Sequence, residues 1–128
     1  MGYVIKNLRE VEDSAPKFGY GEMQEARMAT RELGGERVGL SHHVVKPGRR
    51  QGFGHRHREA EEIYVILRGT GRAKLDDEIV EVRELDAIRV APQVARSFEG
   101  GPDGLELLAF GQHPPDDRGE MLTDFWTD

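Results

Sequence analysis

The 128-residue sequence predicts an all-β sandwich or barrel. Two observations carry this prediction. Turn-forming residues recur at short intervals, at Gly34-Gly35, Pro47-Gly48, Gly52 and Gly54, Gly69 and Gly71, Asp76-Asp77, Pro92, and the run Gly100-Gly101-Pro102-Asp103-Gly104. Between them lie runs of about five to nine residues rich in valine, isoleucine and leucine, which is the length and composition of strands.

Taken in order, the first ambiguous stretch is 22–33. Met23, Ala26, Thr30 and Leu33 recur at helical spacing, and Gly34 follows as a helix C-cap would. Strands are then predicted at 38–46, 54–57, 62–67, 71–75, 78–82, 86–90, 95–99 and 105–111, with Asp76-Asp77 as a tight hairpin turn and Gly69-x-Gly71 as a turn between two strands. The tail from 112 to 128 reads as irregular chain, with Leu122, Phe125 and Trp126 available to anchor it on the body or on a second subunit.

The length fits one domain over 1–128. The absence of cysteine excludes disulfides, thiolate metal sites and cysteine nucleophiles. Eighteen basic against 24 acidic residues give a net charge of -6, which disfavours a nucleic-acid partner; the one basic concentration, around Arg49 and Arg56, lacks interleaved aromatics. No apolar run is long enough for a membrane span, and residues 1–10 lack a signal layout, so no membrane partner and a cytoplasmic location are the expectation.

The chemistry concentrates at His55, His57 and Glu62. On a strand, residues at i and i+2 share a face about 6.5 to 7 Å apart, so both imidazoles can reach one ion. Glu62 opens the next predicted strand after a short polar link that folds it back beside them. Two imidazoles and a carboxylate suit iron, manganese, zinc or nickel. By the same period Tyr64 lines the cavity with Glu62. On the preceding strand only one of His42 and His43 can face inward. The more apolar set of Val38, Leu40, His42 and Val44 selects His42, a histidine able to act as a base near neutral pH. Ser41 beside His42 forms no dyad, because strand neighbours point to opposite faces.

The longer string is more specific. Pro47-Gly48, His55-x-His57, Glu62 and Gly69 together resemble the first motif of the cupin superfamily, and 86–98 resembles the second. The resemblance spans about 37–111 and implies a jelly-roll barrel of two antiparallel sheets with its ligands at the mouth. It further implies N-terminal strands within 1–36, including one at 25–31 in place of the helix, and a homodimer. It also implies a small-molecule ligand or substrate. The chain departs from the pattern at Arg96, where the second motif usually supplies a third histidine.

Arg96 leaves three arrangements open. It can point aside from a divalent metal on His55, His57 and Glu62 and clamp an anionic substrate group. It can pair with Glu62 in a metal-free binding pocket. Or the pair is structural and the protein works through its surface. In the first, Arg96, Tyr64 and Phe98 contact substrate, Phe98 as an apolar wall, and Tyr64 or His42 moves a proton.

Overall fold

The computed structural model describes residues 2–128. Its strands are β1 (Gln24–Met28), β2 (Val38–Val45), β3 (Gly54–Arg56), β4 (Glu62–Leu75), β5 (Glu78–Arg83), β6 (Ala87–Val90), β7 (Arg96–Gln112) and β8 (Glu120–Leu122). All pairings are antiparallel. The first layer runs β1-β2-β7-β4-β6 and the second β8-β3-β7-β4-β5, so β4 and β7 belong to both and join the layers into one curled eight-stranded sheet.

That sharing corrects two expectations. Gly69-x-Gly71 is not a turn between strands, and the glycine-rich run 100–104 does not separate two others. Both are bends inside long strands. The register between β4 and β7 shifts at Gly69/Gly71, where Leu105 pairs with Gly69 and Gly100 with Gly71. Gly69 sits at φ +89°, and a Cβ there would run into the Gly104 carbonyl; a Cβ on Gly71 would run into the Glu99 carbonyl. The absent side chains let two backbones cross closely while turning from one layer to the other.

The stretch 22–33 divides between its two readings. Gln24–Met28 is a strand paired with β2, and Thr30–Leu33 is a single helical turn closed by Gly34 at φ 72°. The rest of 2–36 contributes only two 3₁₀ turns, Leu8–Glu10 and Ala15–Phe18, where further strands were expected. The Asp76-Asp77 hairpin forms as predicted, with Leu75 opposite Glu78 and Asp76 at φ 54°. The C-terminal tail is not wholly irregular, since β8 pairs with β3. Beyond it, Phe125 fills the space over Gly54 and under the Lys74 ammonium, and Trp126 lies 4.5 Å beneath the Arg50 guanidinium and donates to Ser97 Oγ. The tail packs on its own barrel.

The core lies between the layers, built from Val45, Tyr64, Ile66, Ala73, Phe98, Leu105, Leu107 and their neighbours. Among the described residues no helix is long and apolar enough to cross a membrane.

Candidate metal centre

β3 belongs to the second layer and the start of β4 to the first, so the barrel end away from the glycine bends brings His55 and His57 opposite Glu62. His55 Nε2 lies 3.5 Å and His57 Nε2 3.4 Å from the same oxygen, Glu62 Oε1. One ligand atom from each of the three residues lies within 4.8 Å of the others. Two ligands about 2.1 Å from one ion at the tetrahedral angle stand about 3.4 Å apart, which is the separation of each imidazole nitrogen from Glu62 Oε1. The rings of His55 and His57 meet edge to face at 5.2 Å.

Four groups aim protons or positive charge at Glu62 Oε1. Besides the imidazoles, Tyr64 Oη donates at 2.9 Å and Arg96 Nη1 at 3.3 Å. Burial alone pushes the Glu62 carboxyl up. Hydrogen bonds from His55, His57 and Tyr64 outweigh it and hold the group well below the usual carboxylate range. The hydrogen bond to Glu62 raises the His57 imidazole, and burial followed by the Glu62 charge keeps the Tyr64 phenol protonated.

Arg96 starts β7 directly opposite His55 and is wholly buried. Its guanidinium neither swings aside nor reaches solvent: Nη1 meets Glu62, Nη2 donates to the Ala91 carbonyl at 2.8 Å, and Nε has no partner. Phe98, two residues on, is 1% exposed and packs against Tyr64, its ring tilted by 50° with centroids 5.0 Å apart. It reaches the site through that tyrosine.

The inward histidine of β2 is His43, which corrects the expectation for His42. Register places Ala26, His43, Leu107 and Ile66 in one row on the core side. His42 lies on the outer face and holds Glu106 Oε2 at 2.7 Å. Choosing the more apolar set failed because the outer face of this layer is itself apolar. Burial, then the nearby His55, lowers the His43 imidazole to about 4, so it is neutral near pH 7. Ser41 Oγ lies 2.8 Å from His43 Nε2, so Ser41 does pair with a histidine, two residues away on its own face, while His43 Nδ1 is buried without a partner.

A residue that the sequence did not single out completes the centre. Asp117, in the tail, accepts the backbone N–H groups of Arg58, Glu59 and Ala60 and lies 3.3 Å from His57 Nδ1. These backbone bonds hold its carboxyl well below the usual range against the opposing effect of burial. An anionic acceptor on Nδ1 holds a proton there, so Nε2, which faces Glu62, is the nitrogen left to bind a metal. Nothing local marks it, since 60 residues separate it from His57. A cleft of about 510 Å³ opens beside His57 and is walled by Arg58, Gln93, Asp117 and Arg118.

No protein-family model matches the sequence. An uncharacterised protein of Methanocaldococcus jannaschii is 39% identical over 62 residues, 48% of this chain and 49% of its own, so the match spans about half the length of that relative. A cupin protein from Bacteroides fragilis superposes with a TM-score of 0.72 at 22% identity, covering 100% of this chain and 98% of that one. The chain has the cupin fold. A sugar phosphate isomerase of the cupin superfamily from Silicibacter pomeroyi DSS-3 is similar to this chain at a TM-score of 0.72 and 16% identity, over 94% of this chain and 82% of its own. These likenesses match the jelly-roll expectation, and the chain carries a His55, His57 and Glu62 group able to hold a metal ion.

Proposed function

We propose that this cupin binds one divalent metal ion through His55, His57 and Glu62, acts there on a small organic molecule, and assembles as a homodimer. The observation that supports the metal is the convergence of three ligand atoms within 4.8 Å, with the second histidine oriented by Asp117. Iron, manganese, zinc and nickel are the candidate ions. A bound dication would supply Lewis-acid polarisation of a substrate oxygen.

The surrounding side chains have separate tasks in this reading. Glu62 stays ionised at any working pH and presents its charge to the ion. Tyr64 holds its proton and fixes the Glu62 carboxylate through that hydrogen bond. Arg96 makes the interior positive and so favours a substrate with an anionic group, while Phe98 keeps the Tyr64 ring in place from the apolar side. His43 is neutral and inward-facing, and takes over the proton-moving role expected of His42.

The test is metal content per chain, by elemental analysis of tag-free protein purified without chelator, beside His57→Ala. Near one equivalent, lost in the variant while the barrel remains folded, is the expected result. Substoichiometric metal in both, even after incubation with iron, manganese, zinc and nickel, would refute the metal reading. It would leave the Arg96 to Glu62 pair in a metal-free binding pocket. With metal present, small acids and sugar phosphates are the compounds to screen first.

A further inference from the structure

We propose that the segment from Asp117 to Trp126 is a strap whose docking on the barrel is coupled to the metal ion: metal binding tightens the strap, and the docked strap tightens metal binding. This coupling rests on the metal reading above and concerns how that site is held. β3, which carries His55 and runs directly into His57, is weakly held by the rest of the barrel. It is three residues long and shares one residue pair with β7, His55 opposite Arg96. Its other edge is held by β8, with Gly54 opposite Leu122, His55 opposite Met121 and Arg56 opposite Glu120. The strap therefore supplies three of the four residue pairs of β3. The Arg56 guanidinium reinforces the last of them with two bonds to the Glu120 carboxylate, at 3.1 and 3.0 Å.

The strap is fastened at both ends. At the near end Asp117 accepts the N–H groups of Arg58, Glu59 and Ala60 and stands 3.3 Å from His57 Nδ1. Gly119 lies against the same ring, where a Cβ would come within 3.2 Å of His57 Cε1. At the far end Phe125 lies over Gly54, where a Cβ would come within 2.6 Å of its ring, and the buried Lys74 ammonium stands 3.9 Å from its centroid. The Trp126 indole N–H donates to the wholly buried Ser97 hydroxyl at 3.2 Å, and the Arg50 guanidinium covers the indole. Ser97 follows Arg96 on β7, and strand neighbours point to opposite faces, so the far anchor and the metal centre lie on the two sides of one strand. The strap adds no residue to the buried core cluster, and Met121 is 56% exposed. A surface segment of this kind lifts without unfolding the barrel beneath it.

His57 joins the strap to the ion. A cation on Nε2 draws electron density from the imidazole and makes its Nδ1–H a stronger donor to Asp117, which keeps the strap down. The converse follows by linkage: whatever favours the lifted strap lowers metal affinity by the factor by which metal favours the docked one. Lifting takes Asp117 from His57 and β8 from His55 together, so it disturbs two of the three ligands at once.

Zinc titration of the full chain tests this, with a chromophoric chelator reading affinity and acrylamide quenching of Trp126, the sole tryptophan, reading docking. Zinc has no redox chemistry to quench the indole by itself. In the wild type, saturating zinc should lower the quenching constant by about twofold or more, as expected of a segment that stops opening. It should also slow trypsin cleavage after Arg118, inside the strap, by about tenfold or more, because cleavage follows the open population. Cleavage after Lys17 should stay unchanged. Trp126→Ala touches no ligand, yet should weaken zinc binding about tenfold or more, as loss of an outer partner does. Ile79→Ala, at an exposed apolar site on β5, should bind zinc as the wild type does. Should Trp126→Ala fail to fold by circular dichroism, the wild-type quenching and cleavage decide. If zinc binds the wild type and leaves the quenching or the cleavage after Arg118 unchanged, the strap is refuted and the metal reading stands. The same holds if folded Trp126→Ala binds zinc as tightly as the wild type, or if Ile79→Ala weakens binding equally. A wild type that binds no zinc, iron, manganese or nickel would refute the metal reading and the strap with it.

Discussion

Replacing Arg96 by histidine should raise the affinity for a divalent ion. Arg96 Nη1 lies 3.3 Å from Glu62 Oε1, the oxygen the ion would take. An ion bound to that oxygen at about 2.1 Å stands within about 5 Å of the guanidinium. At an effective dielectric near 20, a unit charge and a dication at 5 Å repel by about 7 kcal/mol. If reorganisation leaves only a fifth of this, about 1.4 kcal/mol, affinity changes tenfold. Histidine also adds a ligand at the position where the cupin motif commonly has one, so at least tenfold tighter binding is expected. Arg96→Gln, which removes the charge and adds no strong ligand, should fall between the two. Competition titration against a chromophoric chelator, with zinc or manganese, measures all three proteins. Losing a partner of a buried pair costs the metal-free fold about 3 kcal/mol, so circular dichroism must first show each variant folded. Equal or weaker binding by folded Arg96→His would refute the reasoning, because the guanidinium would then not be felt at the ligand position.

Asp117→Asn should weaken metal binding about 10- to 100-fold in the same titration, because the tautomer of His57 is no longer held by an anion. His43 is lowered to about 4 from 6.5, so between these values the unfolded chain binds the extra proton and stability falls as pH falls. The loss is about 3 kcal/mol across that window, and His43→Leu should remove this part of the slope when urea unfolding is compared at pH 7 and pH 4. Gly69→Ala should destabilise the barrel by about 3 kcal/mol in urea, combining the cost of a left-handed φ with displacement of the Gly104 carbonyl.

What was legible in the sequence was local. The His55-x-His57 spacing brings both rings to Glu62, although the strand itself ends at Arg56. Asp76-Asp77 fixes a hairpin because two residues with permissive backbones suffice. Gly34 marks the end of a helical turn for the same reason, even though that turn is one round long and follows a strand. The second-motif position of Arg96, opposite His55, was legible only through family resemblance.

The tertiary structure decided everything that depends on which surfaces meet. His42 and His43 are equivalent to a period-2 rule, and the choice between them needed the partner strands, because both faces of their layer are apolar. Asp117 became part of the centre through chain returning from far along the sequence, which no spacing encodes. Glycines read as turn signals at 69–71 and 100–104 instead bend two strands across each other, since a missing Cβ serves either purpose and only the neighbouring backbone selects one. The charge of Arg96 is set by its chemistry, whereas its placement on Glu62 Oε1 is set by burial that leaves a guanidinium no solvent to reach. Residue type and period determine local conformation and chemical capacity; long-range contact alone determines which side is inside.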